Sequence, residues 1–141
     1  MQLPFILLPL FVEVLLTMGL GIWMAELRRR DFKSGVAHPS RVALREPNWS
    51  PRTLRVGYCF SNQFELPVLF YVLTILETFT RHADLIFVIL AWVFVLTRIM
   101  HAMVYTTTNT LHLRGAWYGF GAIALLIAWV IYIVRILFFL P

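Results

Sequence analysis

Four long apolar segments, separated by short or polar connections, constrain this chain more than any other feature. About 20 mostly apolar residues span a bilayer as a helix, and four segments come close to that length: residues 3–25, 62–79, 85–106 and 115–140. The backbone amides of a span have no water to bond, so each span must satisfy them internally as a helix. We therefore predict an all-α membrane protein with a single domain over residues 1–141.

The connections predict how the four spans are arranged. Only residues 80–84 join the second span to the third, and residues 107–114 join the third to the fourth. Links this short favour antiparallel neighbours and an up-and-down four-helix bundle. Residues 26–61 are polar and are interrupted by prolines, so we expect a partly ordered loop there. These prolines are Pro39, Pro47 and Pro51.

The distribution of positive charge predicts the orientation. Eight of the twelve Lys and Arg residues lie within residues 28–55, and basic residues near span ends mark the cytoplasmic side of a membrane. The loop over residues 26–61 is thus expected in the cytoplasm, for either a bacterial inner membrane or the endoplasmic reticulum. Because topology accounts for the clustering, the net charge of +5 does not indicate a nucleic-acid partner, and none is predicted.

Three further observations exclude other classes. The single cysteine, Cys59, cannot form an intrachain disulfide, and it is expected to pack rather than to act as a nucleophile. The four histidines do not occur with carboxylates at metal-ligand spacing, so no metal site is predicted. At the N-terminus the basic residues follow the apolar segment, the reverse of a secretory signal, so we expect this segment to be a retained span.

Polar and ionisable side chains in the last three spans indicate a functional site. Ionised groups are costly in hydrocarbon, so such side chains usually face a protein interior or a wet cavity. Under the predicted topology they all fall in the cytoplasmic half of the membrane. Arg98 is the deepest, about 12 Å from the end of its helix at 1.5 Å per residue. The seven residues are Asn62, Glu65, Arg98, His101, Tyr105, Arg114 and Tyr118.

The spacing of these residues predicts a polar groove between helices. Within each span they are three, four or seven positions apart, so each set shares one helix face. Structural explanations stay open for single residues. Arg98 with Glu65 could be a buried ion pair that only fixes packing, and His101 could be an interhelical hydrogen-bond partner. Arg114 could be a positive-inside anchor and Tyr118 a member of the aromatic belt.

Other charged residues are assigned to structure. Glu13, near the middle of the first span, has no opposite charge in its own helix, so it must pair across helices, be protonated or touch a cavity. Arg135 is expected to reach towards the membrane surface at the outer end of the fourth span. The residues that flank the short outer turn are expected to be solvated. They are Glu77, Arg81, His82 and Asp84.

Three short motifs lie at the depth of the predicted groove. Asn62-Gln63-Phe64-Glu65-Leu66-Pro67 opens the second span, and Arg98-Ile99-Met100-His101-Ala102-Met103-Val104-Tyr105 closes the third. Arg114-Gly115-Ala116-Trp117-Tyr118 opens the fourth. In order, separation and placement, these motifs resemble those of the MAPEG family, the membrane-associated proteins of eicosanoid and glutathione metabolism. The resemblance is clearest over residues 62–118.

The resemblance implies a homotrimer of four-helix bundles, with glutathione as co-substrate in a cleft between subunits near the cytosolic side. By this resemblance Arg114 would lie near the sulfur, and Tyr118 would donate to the thiolate or border the pocket for a lipophilic substrate. A guanidinium beside a thiol of ordinary pKa, about 8.5, favours the thiolate. The other five residues would line the glutathione site: Asn62, Glu65, Arg98, His101 and Tyr105.

Two departures from the family pattern bear on activity. Eicosanoid-pathway members carry arginines where this chain has Tyr58 and Ser61, so two carboxylate anchors are absent from those positions. Arg52 and Arg55, further upstream, are candidates to replace them, but the sequence does not place their side chains. Gly115 stands where the prostaglandin E synthase has a serine, which argues against that isomerase activity.

Two functions therefore compete. The first is a glutathione transferase or peroxidase that acts on lipophilic electrophiles or lipid hydroperoxides. The alternative is a non-catalytic membrane protein of the same fold, which binds another anion or a lipid headgroup in the intersubunit cleft. Binding of glutathione by the purified protein distinguishes the two.

Overall fold

Residues 2–43 and 48–139, which the computed structural model describes, form helices and connecting turns without any β-strand. The helices are α1 (Leu3–Lys33), α2 (Pro39–Val42), α3 (Pro51–Ser61), α4 (Leu66–Phe79), α5 (Leu85–Thr106) and α6 (Leu111–Leu137). Four segments are long and apolar enough to cross a membrane: α1, α3 together with α4, α5, and α6. The predicted four-span, all-α fold is confirmed. Pro47 and residue 140, named in the predictions above, lie outside the described residues.

Helix α1 continues well past its predicted end, to Lys33. The Glu26 carboxylate pairs with Arg29 at 2.7 Å, and pairs three or four residues apart stabilise a helix surface. The Asp31 carboxylate accepts a hydrogen bond from the Ser50 amide at 2.9 Å. These contacts carry the helix beyond its apolar part, so the expectation of a loop from residue 26 was wrong for this stretch.

Helix α3 occupies the end of the predicted loop. Its N-cap is Ser50, whose side chain accepts a hydrogen bond from the Thr53 amide at 3.4 Å. Proline suits the first turn of a helix, where a missing N–H leaves no bond unmade, so Pro51 starts a helix rather than interrupting one. The second span is therefore Pro51–Phe79 instead of residues 62–79.

The break between α3 and α4 follows from Pro67. This residue has no amide hydrogen for the carbonyl four residues earlier, and its ring crowds that carbonyl. The chain passes through a 3₁₀ turn over Asn62–Phe64 before α4 begins. In this turn the Asn62 carbonyl accepts a hydrogen bond from the Glu65 amide at 3.4 Å and has room for a second donor. Here the Asn62 carbonyl accepts a hydrogen bond from Arg98 Nη2 at 3.1 Å, which ties the break to α5.

The helices pack around α5. A Cβ at Gly121 of α6 would lie 2.6 Å from Thr97 Oγ1 of α5, so the close approach of α6 to α5 requires glycine at this position. The rings of Phe70 and Phe94, 4.9 Å apart, join α4 to α5. Large apolar side chains on the outer faces of the helices are exposed, as a surface in contact with lipid would be.

Candidate functional site

The seven residues predicted from the sequence form one continuous set of contacts, which we call the site cluster. It lies at the end of the bundle that carries the α5–α6 turn, residues 107–110. The 3₁₀ turn and the residue after it contribute two members, α5 three and α6 two. The members are Asn62, Glu65, Arg98, His101, Tyr105, Arg114 and Tyr118.

Arg98 lies at the centre of the site cluster and is completely buried, with 0% of its surface exposed. Besides its bond to Asn62, its guanidinium carbon lies 5.5 Å from the centre of the Tyr118 ring. Within the described residues its Nε and Nη1 atoms have no hydrogen-bond partner. Arginine stays charged in proteins, so Arg98 presents a buried cation with free donors.

His101 is 2% exposed and lies between two tyrosine rings. Its ring centre is 5.6 Å from that of Tyr105 and 5.6 Å from that of Tyr118. His101 Nδ1 lies 3.0 Å from the Arg114 carbonyl oxygen, which can only accept, so Nδ1 is the donor. Nε2 has no partner among the described residues, and in the neutral ring it is an acceptor.

Arg114 lies in the first turn of α6, because this helix begins at Leu111 rather than at the predicted residue 115. Its Nη1 donates to Asn109 Oδ1 at 2.6 Å, and its guanidinium carbon lies 4.3 Å from the centre of the Tyr105 ring. Asn109 was not among the residues predicted for this site. Its φ of 53° is a left-handed conformation that asparagine adopts more readily than most residues, so an asparagine just before a helix start was the available signal.

Glu65 does not form the buried ion pair with Arg98 that was one structural explanation for these two residues. Its Oε2 accepts a hydrogen bond from the Tyr118 hydroxyl at 3.2 Å. Over residues 2–43 and 48–139 the structure has no ion pair between Glu65 and Arg98. Glu65 is exposed at the edge of the cluster, which also contains the guanidinium groups of Arg98 and Arg114. Two cations against one carboxylate suit an anionic ligand that also carries an amine.

The two positions that depart from the family pattern open onto a different pocket. Tyr58 and Ser61 line a space of about 740 Å³ between α1 and α3, and the arginine in its wall is Arg28. Arg52 instead lies over an α1 tryptophan ring, and Arg55 donates to a carbonyl of the α5–α6 turn. Among the described residues that line this pocket, the basic one is Arg28.

A second set of polar residues, which we call the turn cluster, lies at the opposite end of the bundle and comprises Glu77, His82, Asp84 and Arg135. Arg135 Nη2 contacts Asp84 Oδ2 at 2.6 Å, and its Nη1 donates to the His82 carbonyl at 3.4 Å. Glu77 is 1% exposed. The expected solvation of Glu77 was therefore wrong, and Arg135 reaches the turn at this end of the bundle, where it pairs with Asp84.

Asp84 also caps α5, because its Oδ1 accepts a hydrogen bond from the Phe87 amide at 2.9 Å. Burial by itself would raise the pKa of this carboxyl group. The hydrogen bonds from Arg135 and Phe87 outweigh burial and hold the pKa of Asp84 below its ordinary value. Asp84 is thus an ionised partner that closes the turn between α4 and α5.

Comparison with known proteins finds one family that matches nearly the whole chain. The family model of the MAPEG family matches residues 6–139, a range that contains all seven members of the site cluster. No match was found among curated proteins or among solved structures. In the described part of the chain, no three His, Cys, Asp or Glu side chains are grouped so that they could hold a metal ion.

Proposed function

The chain belongs to the MAPEG family, and from this premise we propose that it is a glutathione-dependent membrane enzyme. Its reaction would be the transfer of glutathione to lipophilic electrophiles or the reduction of lipid hydroperoxides. The observation that carries the proposal is the site cluster, in which Arg98 is buried with free donors and Arg114 lies next to an aromatic ring. The same cluster contains one carboxylate, that of Glu65.

The charges of the site cluster match those of glutathione, which has two carboxylates, one amine and one thiol. The free Nε and Nη1 donors of Arg98 suit a ligand carboxylate, since charge-assisted hydrogen bonds are the stronger kind. The exposed Glu65 suits the amine. We assign the remaining glutathione contacts to Asn62, His101 and Tyr105.

Arg114 is the residue that we assign to the sulfur. A guanidinium beside the thiol stabilises the thiolate, the nucleophilic form. The thiol proton leaves to solvent, and the thiolate sulfur attacks the electrophilic carbon while the leaving group departs with the bonding electrons. Tyr118 would turn its hydroxyl from Glu65 towards the thiolate or border the second substrate.

Reduction of a hydroperoxide uses the same thiolate. Two glutathione molecules and one hydroperoxide yield glutathione disulfide, the alcohol and water, so the electrons balance without another reductant. A lipophilic second substrate would enter from the bilayer. An apolar groove of about 340 Å³ between α1 and α5, lined in part by Trp23, Ala102 and Met103, offers a place beside the cluster.

Assembly and orientation belong to the same proposal. We propose a homotrimer, with the ligand cleft between subunits and the basic segment between α1 and α3 in the cytoplasm. Glu65 is exposed, and the 740 Å³ pocket is open to the surface of the subunit. Both observations support the proposal that a neighbouring subunit completes the cleft.

One observation favours the non-catalytic alternative. Tyr58 and Ser61 stand where arginines anchor carboxylates in eicosanoid-pathway members, and Arg114 already donates to Asn109. A protein of this kind would bind another anion or a lipid headgroup beside Arg98. It would show no thiolate formation and no transferase or peroxidase activity.

The experiment is a glutathione titration of the purified protein in detergent, followed by the ultraviolet absorbance of the thiolate. We expect saturable thiolate formation in the wild type and its loss in Arg114→Ala. Lys33→Ala, which removes an equal charge from an exposed position at the end of α1, should keep the signal. Absence of glutathione binding at millimolar concentration would refute the enzyme and leave the alternative.

A further inference from the structure

Glu13 is a carboxylate enclosed in the middle of the bundle. It is 0% exposed, and neither of its carboxylate oxygens has a hydrogen-bond partner within the described residues. An ionised carboxylate in such a place is unstable unless another charge compensates it. The proposed chemistry does not use Glu13, so its position requires a separate explanation.

Arg98 is the cation whose charge acts on Glu13. The two side chains belong to α1 and α5 and are both completely buried. One turn further along each helix, Leu16 and Ala102 belong to the same apolar cluster, so Glu13 and Arg98 lie at the same level of the bundle. No contact within 4 Å joins them as an ion pair in the described structure. Each keeps unpartnered polar atoms there: both oxygens of Glu13, and Nε and Nη1 of Arg98.

The other groups near this pair do not supply a second full charge inside the bundle. Tyr71 of α4 faces Glu13 and also interacts with the Thr17 side chain. The groups that act on Arg98 besides Glu13 belong to α3, α6 and the edge of the site cluster. They are Cys59, Tyr118 and Glu65.

We propose that Glu13 is the internal counter-charge of Arg98, and that it takes up a proton from solvent when an anion binds beside Arg98. An anion at the site cluster offsets the positive charge of Arg98 and adds a negative charge of its own. Both changes favour the neutral form of a buried carboxyl group. Glu13 then acts through Arg98 as a positioning residue and does not itself touch the ligand.

This coupling has a definite sign. Because binding of the anion and protonation of Glu13 promote each other, the anion binds more tightly as pH falls. Glu13→Gln carries no negative charge at any pH, so it resembles the protonated wild type. At pH 8 it should therefore bind the anion more tightly than the wild type does. A residue that merely held the helices together would have the opposite effect.

The ligand arm of the test rests on the proposed function and uses S-methylglutathione, which has no ionisable thiol. Calorimetric titrations in two buffers of different ionisation enthalpy measure the protons taken up on binding. We expect the wild type to take up more protons than Glu13→Gln, and we expect Glu13→Gln to bind about fivefold or more tightly at pH 8. Equal uptake by the two proteins, or weaker binding by Glu13→Gln, would overturn the proposal and leave glutathione binding intact.

A second arm needs no ligand, so it decides the inference even if glutathione does not bind. Infrared spectra of the wild type minus Glu13→Gln isolate the Glu13 carboxyl group, and Glu77→Gln is the matched control at another buried glutamate. We expect a carboxylate at pH 8 in the wild type and a carboxylic acid at pH 8 in Arg98→Gln. If Arg98→Gln does not fold, the wild-type spectrum still decides, since a protonated Glu13 at pH 8 contradicts a counter-charge.

Discussion

The two ends of this bundle contain similar side chains in opposite circumstances. The turn cluster and the site cluster each combine an arginine, a histidine and a carboxylate from neighbouring helices. In the turn cluster the Arg135 side chain bonds to the Asp84 carboxylate and to a backbone carbonyl. In the site cluster Arg98 keeps two nitrogens without a partner in the described structure. Each cluster also has a histidine nitrogen without a partner there, and Glu77 Oε2 has none either, so the contrast lies in the arginines.

The comparison shows how a structural arginine differs from a binding one. The guanidinium of the turn cluster is engaged, since Arg135 donates to the Asp84 carboxylate, which also accepts from the α5 amide. In the site cluster the arginines contact aromatic rings and a backbone carbonyl, and the carboxylate is exposed. These contacts leave two nitrogens of Arg98 without a hydrogen bond in the described structure. Buried donors without partners are costly, so we expect them to be retained where a ligand supplies the partners.

The largest effect is expected from replacing each of two arginines, Arg98 and Arg135, by methionine in separate variants. Arg98→Met should weaken glutathione binding by about 100-fold, because bonds between charged groups contribute about 1.5–3 kcal/mol each. Arg135→Met should leave the dissociation constant within about twofold and should instead lower the thermal stability, since it leaves Asp84 without its partner. The titration and the thermal unfolding of both variants check this. Equal losses of affinity would remove the distinction between the clusters.

A smaller effect is expected from the residue that holds Arg114. Asn109→Gly keeps the left-handed backbone at no steric cost and removes the side-chain acceptor. We expect about a fivefold loss in thiolate formation at a fixed glutathione concentration, as for one hydrogen bond of about 1 kcal/mol. The neighbouring Thr110→Ala is the control, because the Thr110 side chain makes no capping hydrogen bond. An unchanged thiolate signal in Asn109→Gly would show that Asn109 does not orient Arg114.

The smallest effect concerns the pH dependence of the turn cluster. Asp84→Asn keeps an N-cap acceptor and loses only the charge pairing with Arg135, worth about 1 kcal/mol or less because the side chain is 38% exposed. Since the pKa of Asp84 is held below its ordinary value, this stabilisation is present above about pH 4 and is lost as pH falls through the lowered value.

Thermal unfolding of the wild type and of Asp84→Asn at several pH values checks this sign. The difference between the two should be constant from pH 5 to pH 8 and should vanish in stronger acid. A difference that grew towards acid pH would contradict the assignment of Asp84 as an ionised partner. Between pH 5 and pH 8 the affinity of the site cluster for its ligand is expected to change, because Glu13 takes up a proton when the anion binds.

Most of the site could be predicted because its signal is local. The period of the polar residues along α5 and α6 places each set on one helix face, and hydropathy gives their depth. The residues that were missed have no such period. Asn109 acts from a turn, and Arg28 reaches its pocket only because α1 extends to Lys33. The expected solvation of Glu77 failed because nearness to a turn in sequence does not determine burial.

The sequence by itself determined the number of spans, the MAPEG resemblance and the residues of the site cluster, since hydropathy, periodicity and motif order are properties of the chain read in one dimension. The tertiary structure alone decided which partner each charge has. Glu65 bonds to Tyr118 rather than to Arg98, and Glu13 of α1 is buried where the charge of Arg98 of α5 acts on it. These pairings depend on how the helices are rotated and shifted against one another, which close packing at positions such as Gly121 sets.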